Sequence, residues 1–383
     1  MLTAEEATFP SFRFQGSHRE IGRQFGEATA EMVHRHRDLA LARLGTRSGI
    51  RAEQALAAAM LYRPFVIEYA RFLDEEIQGV AEGAGIALEE AYLLQLRAEL
   101  AVTKGLYSSA EPGDECTTFA ILGEATSDGD PLIGQNADLP IFYREIGILA
   151  EIVPDDAPAV LMLLPAGQVS YIGINDRGLG VFANFLTCDG WRLGYPRYLL
   201  SRLALTHETV DEAIAAFRSV PRASSRNMIV ADLQGGAADL ETTPTRDARL
   251  DPEYGILTHA NHYTAPELLE EERSPQKDVA NSRVRQARMR ELLQGRRGAL
   301  NAQVMQEILR DRATEPDALC RHAEDDPTTD FITFASVIAE PAKGQMWVAV
   351  GPPDQHPYRR YAFGEIASGA EQLTRLASPH PVS

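Results

Sequence analysis

Lysine is scarce in this 383-residue chain: only Lys104, Lys277 and Lys343 occur, so a Schiff-base or phosphate-clamping lysine has few candidates. Cationic residues as a whole are outnumbered, 37 Lys and Arg against 55 Asp and Glu, and the formal net charge is -18. A surface that acidic repels phosphate backbones and anionic head groups, which argues against a nucleic-acid or membrane partner. Cysteine is also rare. Cys116, Cys188 and Cys320 cannot all pair with one another, and no two show metal-ligand spacing, which excludes a disulfide scaffold and a zinc ribbon. The start, MLTAEEATFPSFRF, lacks a basic segment followed by an apolar one, and no apolar run approaches the ~18 residues needed to span a bilayer. The expectation is a soluble, cytoplasmic protein. HExxH, P-loop and GxSxG strings are missing, and Gly178-Leu179-Gly180 lacks the third glycine of a dinucleotide loop and reads as a tight turn.

What the chain does contain is 44% hydrophobic residues, enough for a packed globule. Its first third reads as helix: apolar residues recur at three- and four-residue steps over Glu20–Leu44, over Ala52–Val80 with a break at Pro64, and over Leu88–Val102. Asp74, Glu75 and Glu76 read as the wet face of the second stretch, and Glu267–Asp278 as a solvated loop. After Tyr107 the texture changes to short apolar runs bounded by Gly, Asp and Pro. Strands are expected near 117–122, 132–135, 147–152, 159–163, 170–174 and 179–183, then 228–231, 238–242, 255–258, 331–338 and 346–350. Helices are expected over 198–205, 210–220, 279–293 and 302–310, with a surface-wrapping tail after Pro352. That order fits two sheets covered by helices and not a strict βαβ repeat.

Cys116 stands where the helical texture gives way to strands, in GDECTTFAILG. A lone cysteine is more often packing than nucleophile, but here a polar loop ends on it and the β-branched pair Thr117 and Thr118 opens a strand directly after it. Cys116-Thr117-Thr118-Phe119, a hairpin, and Gly134-Gln135-Asn136-Ala137-Asp138 together resemble the start of the catalytic chain in the autoproteolytic acyltransferase/hydrolase family that includes isopenicillin N acyltransferase. That family belongs to the cysteine N-terminal-nucleophile (Ntn) hydrolases. The likeness extends through Gly16-Ser17-His18-Arg19-Glu20-Ile21-Gly22 with Gly26, Gly173–Gly180 leading to Asn184, Leu257–Tyr263, and Asn281-Ser282-Arg283-Val284-Arg285 with Arg288.

The resemblance implies an α+β, four-layer αββα sandwich, with residues 1–115 a helical segment and 116–383 the catalytic chain after self-cleavage at Glu115–Cys116. The chemistry suits the residue types. Cleavage frees the Cys116 α-amine, whose ordinary pKa of about 7.7–8 matches it to take a proton from a thiol of about 8.5, so one residue supplies nucleophile and base. Asp138 is implied to hold that amine and Asn261 to stabilise the oxyanion. Asn184 would add a second donor or a substrate contact. Arg283 is implied near the nucleophile, with Arg285 the rival if the register differs, and Ser282 would assist self-cleavage. Neither cofactor nor metal is expected; the substrate would be a small molecule carrying a linear amide or acyl group, and assembly of processed units into a homo-oligomer stays open. Glu115 and Ala137 depart from the family's Gly before the cysteine and aromatic before the aspartate. The first could slow cleavage; the second removes a ring from a pocket wall. The expected activity is hydrolysis of an amide through an acyl-Cys116 thioester, and three other readings stand beside it: transfer of the acyl group to an amine, an uncleaved binding protein on the same fold, and an internal-cysteine hydrolase using His259 or His262 as base, residues whose simplest role is structural.

Overall fold

The structure, a computed structural model, describes residues 8–96, 99–100 and 116–367. Glu115 lies outside the described residues.

The first strand, β1 (Ser11–Gly16), was not expected in a helical segment; Phe12 and Phe14 alternate inward on it. Helices α1 (His18–Ala28), α2 (Ala30–Ser48), α3 (Ala52–Met60), α4 (Arg63–Ala84) and α5 (Leu88–Leu94) follow. The stretch read as one helix from Glu20 divides at Thr29. The next divides at Leu61–Tyr62, with Pro64 in the first turn of α4, where a missing N–H costs nothing. α5 accounts for the beginning of the stretch expected to run to Val102, a residue outside the described ones. α1 and α4 cross with their backbones nearly touching. A methyl group on Gly22 would lie 2.0 Å from the Glu76 carbonyl oxygen, and one on Gly79 would lie 2.2 Å from that of Arg19, so only glycine permits this approach.

The remaining chain builds two sheets. Strands β4 (Gly147–Pro154), β5 (Val160–Pro165), β6 (Ile172–Asn175), β7 (Gly180–Asn184), β8 (Arg226–Ala231), β9 (Ala237–Thr242) and β10 (Asp247–Leu250) join β1 in an eight-stranded sheet of order β1-β4-β5-β6-β7-β8-β9-β10. Strands β2 (Thr117–Ile121), β3 (Leu132–Pro140), β11 (Ile256–His259), β12 (Phe331–Glu340), β13 (Gln345–Val350) and β14 (Arg359–Ala362) form a six-stranded sheet of order β11-β2-β3-β12-β13-β14. β10 and β14 are additions to the expected set, and β14 turns part of the supposed surface tail into an edge strand.

Between β3 and β4 lies the short helix α6 (Tyr143–Ile146), and the sheets pack face to face through β2 and β3 against β7 and β8. Helices α1, α7 (Leu200–Ala204) and α8 (Val210–Ser219) cover the outer side of the larger sheet, and α9 (Gln276–Gln294) and α10 (Ala302–Leu309) that of the smaller. The result is the expected αββα order of layers. Among the described residues no helix is long and apolar enough to cross a membrane.

The segment before Cys116 is bound tightly to the rest. β1 pairs in parallel with β4, and Gln95 Nε2 donates to the Gly167 carbonyl at 2.7 Å. Two of the three acidic residues assigned to a wet face are instead buried: Asp74 accepts from Arg63 at 2.8 Å, and Glu76, 1% exposed, meets Arg202 of α7 at 2.7 and 2.9 Å and His18 Nδ1 at 2.8 Å. The glycine-lined crossing of α1 and α4 leaves that helix face no access to solvent, so its carboxylates must be paired there. Burial pushes the Glu76 carboxyl up, but Arg202 and His18 outweigh it and hold it below the ordinary carboxylate range.

Removing one partner of a buried pair leaves an uncompensated charge. Arg202→Ala is therefore expected to destabilise the protein toward the low end of about 3–5 kcal/mol, since His18 remains beside Glu76. Arg19→Ala, which breaks the exposed Arg19–Glu82 pair, should change little. Urea denaturation of both variants measures the contrast.

Candidate active site

Cys116 immediately precedes β2 and is buried. The alternation of that strand decides where it faces. Phe119 and Ile121 pack with Met289, Leu293 and Met305 beneath α9 and α10, whereas Ala120 and Cys116 belong to the core between the sheets. Thr117 pairs with Asn136 of β3, which brings Ala137 and Asp138 alongside the residue that opens β2.

Side chains from two elements, β7 and α9, hold the Cys116 carbonyl. Asn184, at the end of β7, donates from Nδ2 to the Cys116 carbonyl at 2.9 Å and is oriented by Thr118, whose hydroxyl donates to Asn184 Oδ1 at 2.6 Å. From α9, Arg285 donates through Nη1 to the Cys116 carbonyl and to the Thr117 hydroxyl, both at 2.8 Å. Its Nη2 donates to Asn261 Oδ1 at 3.0 Å and its Nε to Asn281 Oδ1 at 2.8 Å. Asn281 is fixed in turn by Asp317, which accepts from its Nδ2 at 2.7 Å. Burial pushes the pKa of the Arg285 guanidinium down, and Asp138, Cys116 and Asp317 oppose that. Asp138 is held by Thr333 of β12, whose hydroxyl donates to its Oδ1 at 2.6 Å.

Asn261 follows β11. Its Nδ2 donates to the Phe185 carbonyl at 3.1 Å, and its backbone N–H donates to Ser282 Oγ at 2.6 Å. The Ser282 hydroxyl proton is then available to His262 Nδ1, 2.7 Å away. Burial, followed by the charge of His259, pushes His262 down to about 3, so it stays neutral. His259 takes the opposite state: Nδ1 faces the Ala260 carbonyl at 2.7 Å and Nε2 faces Glu241 Oε1 at 2.8 Å. Burial opposes its charge, but Asp239 and Glu241 more than offset that and raise it to about 9. An imidazolium with both nitrogens engaged is a poor base, which removes the support for the internal-cysteine reading through His259.

The expected residues Cys116, Asn184, Asn261, Asp138 and Ser282 thus lie in one region of the fold. Arg283 does not join them: it is exposed. The helix face that carries Ser282, Arg285, Gln286 and Met289 is the buried one, so its rival Arg285 supplies the guanidinium. Sequence reasoning missed Thr118 and Thr333 as orienting hydroxyls and Glu241 as the partner of His259. Asn281 and Arg285, four residues apart, carried the available signal for a shared helix face.

Beside Asn184 lies a small cavity, about 10 Å³ and so no larger than one water needs, lined by Tyr171, Ala183, Phe185, Arg197, Tyr198 and Arg226 as well. The Arg197 guanidinium stacks over Phe185 at 4.3 Å and Tyr198 at 5.1 Å. Among the described residues its buried Nη1 meets no acceptor.

Residues 125–355 match the family model described as acyl-coenzyme A:6-aminopenicillanic acid acyl-transferase. The chain is 28% identical over 312 residues to the 40 kDa form of acyl-coenzyme A:6-aminopenicillanic-acid-acyltransferase from Emericella nidulans, covering 80% of this chain and 83% of that protein. Among solved structures, a mutant conjugated bile acid hydrolase from Clostridium perfringens aligns with a TM-score of 0.41 at 14% identity, over 66% of this chain and 98% of that one. Penicillin V acylase from Agrobacterium tumefaciens aligns with a TM-score of 0.40 at 12% identity, over 61% and 83%.

The charge state of His259 has a consequence for stability. Its folded pKa of about 9 exceeds the ordinary 6.5, so its contribution is fully present below 6.5 and is lost as pH rises through about 9. Asp239, pushed up to about 7 by burial, acts in the same direction at lower pH. Stability is expected to fall over that interval and Glu241→Gln to flatten the fall; denaturation at a series of pH values measures it, and a flat wild-type curve would count against the imidazolium.

Proposed function

The chain belongs to the acyl-coenzyme A:6-aminopenicillanic acid acyl-transferase family, and from that membership we propose that it is a self-processed, Ntn-type cysteine amidohydrolase. It would cleave the linear amide of an N-acyl small molecule through an acyl-Cys116 thioester. The observation that carries this reading is the position of Cys116 at the head of β2, buried, with its carbonyl held by Asn184 and Arg285 together.

In the maturation step the Cys116 thiol attacks the Glu115 carbonyl, the Glu115–Cys116 amide bond breaks as the acyl group passes to sulfur, and water hydrolyses the resulting thioester. The products are a Glu115 carboxylate and a free Cys116 α-amine. Arg285 and Asn184 keep the Cys116 backbone from moving while its amide nitrogen becomes that amine. Ser282, which contacts the Asn261 backbone and His262, is the candidate helper of this step.

In turnover the α-amine takes the thiol proton and sulfur adds to the substrate carbonyl. Asn261 Nδ2, whose side-chain oxygen is fixed by Arg285, would donate to the oxyanion, and loss of such a donor typically costs ~10²–10³ in rate. Collapse breaks the C–N bond, with the proton on the α-ammonium going to the leaving amine. Water then attacks the thioester, giving its proton to the α-amine, and the thiol is restored. Asp138, next to the head of β2, would hold the ammonium form. An amine acceptor in place of water is the second reading, favoured by the name of the Emericella relative. A net charge of -18 weighs against a polyanionic acyl-coenzyme donor, so hydrolysis leads.

Two outcomes test the proposal. Acid quenching during turnover of a panel of N-acyl anilides should leave the acyl mass on the peptide that begins at Cys116, and Cys116→Ala should abolish activity; retained activity would place the chemistry elsewhere. Arg285→Ala should lower activity by at least about 10²-fold, as for loss of an oriented transition-state donor, while Arg283→Ala stays near wild type. Equal effects of the two arginine variants would contradict the geometry.

A further inference from the structure

The buried Cys320 thiol does not face an apolar core. Sγ lies 3.0 Å from Asp354 Oδ1, the atom that also meets His322 Nε2 at 2.9 Å. One ligand atom from each of the three side chains falls within 4.8 Å of the others. Cys320 and His322 are buried and Asp354 is exposed, so the group forms a half-closed cup with one movable wall at the surface.

We propose that Cys320, His322 and Asp354 bind a single borderline-soft divalent cation of the zinc class, at a site outside the reacting centre. Thiolate, imidazole and carboxylate are the donors such an ion takes, with bonds of about 2.3 Å to sulfur and about 2.0–2.2 Å to nitrogen or oxygen. Those lengths set neighbouring ligand atoms about 3.3–3.8 Å apart in a tetrahedron, so the two contacts to Oδ1 must open by less than about 1 Å. Asp354, on an exposed loop, supplies that movement. On binding, the thiol proton passes to solvent and the imidazole proton resides on Nδ1, where Glu324 Oε1 lies 3.4 Å away as the outer acceptor. Thiolate and Asp354 carboxylate balance the dication, and a water completes the fourth position.

The surroundings favour a cation. The nearby Arg312 is already taken by Asp325 at 2.8 Å and Glu315 at 2.7 Å, and Asp325 also accepts from the His322 backbone N–H at 2.8 Å. The ion would tie the loop between α10 and β12 to the one after β13, two loops that Arg310 Nε already links near α10 by donating to the Pro353 carbonyl at 2.9 Å. The first of these reaches the active site. The backbone N–H of Arg321, between the two ligands, donates to Thr333 Oγ1 at 2.9 Å, and that hydroxyl donates to Asp138. Metal binding would therefore fix the segment that orients Asp138, without touching substrate.

The test uses the full-length protein and Co²⁺ as probe. Titration should give a thiolate-to-cobalt charge-transfer band saturating at an equimolar amount, reversed by Zn²⁺, and Zn²⁺ should raise the melting temperature. Cys320→Ser should lose the band, and Asp354→Asn, at an exposed position that folding tolerates, should lose both the band and the melting shift. Cys188→Ser and Cys116→Ser should keep them. Absence of the band, its persistence in either Cys320→Ser or Asp354→Asn, or its loss in Cys188→Ser or Cys116→Ser would overturn the site. None of these readouts depends on amidohydrolase activity, so the site and the proposed reaction can fail separately.

Discussion

A guanidinium withdrawn from water must have its donors accepted by fixed oxygens, and in this protein that requirement falls on Arg285. Its acceptors are the Cys116 carbonyl, the Thr117 hydroxyl and the side-chain oxygens of Asn261 and Asn281. They come from the head of β2, the loop after β11 and the body of α9. A single buried cation thereby sets the position of the nucleophile relative to the donor proposed for the oxyanion. Because no apolar side chain could make those contacts, the layers around it have to close with little tolerance.

The same logic runs through the interface between the two segments on either side of Cys116. Glu76, His18 and Arg202 form a buried charged cluster across it, and β1 is hydrogen-bonded into the larger sheet. A cut in the chain before Cys116 would therefore leave the pieces together, since burial, sheet pairing and paired charges hold them independently of the peptide bond. That property is what a self-processing enzyme of this type requires: the new amine must be released without loss of the wall behind it.

Much of this was legible in the sequence. Strand runs such as Thr117–Ile121 and Phe331–Glu340 carry β-branched and aromatic residues that leave little choice, and the order of helices and strands fixed the layers. The short strands Asp247–Leu250 and Arg359–Ala362 escaped notice because edge strands can be polar and exposed, and Ser11–Gly16 because six alternating residues beside a long helix give a weak period. Glu76 and Asp74 were misread since a helix face covered by another helix through glycines has the composition of a wet one. The choice between Arg283 and Arg285 needed the structure: α9 is charged nearly all round, so its sequence carries no apolar stripe to set the register. The pairing of His259 with Glu241 and the meeting of Cys320, His322 and Asp354 depend on strand register and loop closure, which no spacing in the chain encodes.

The central claim is that Cys116 acts as an N-terminal residue. Intact-mass measurement of the purified wild-type protein, with N-terminal sequencing of each species, tests it most directly. The account predicts two polypeptides, residues 1–115 and 116–383, the second beginning Cys-Thr-Thr-Phe-Ala and both eluting together under native conditions. A single uncut chain in an active preparation would contradict it.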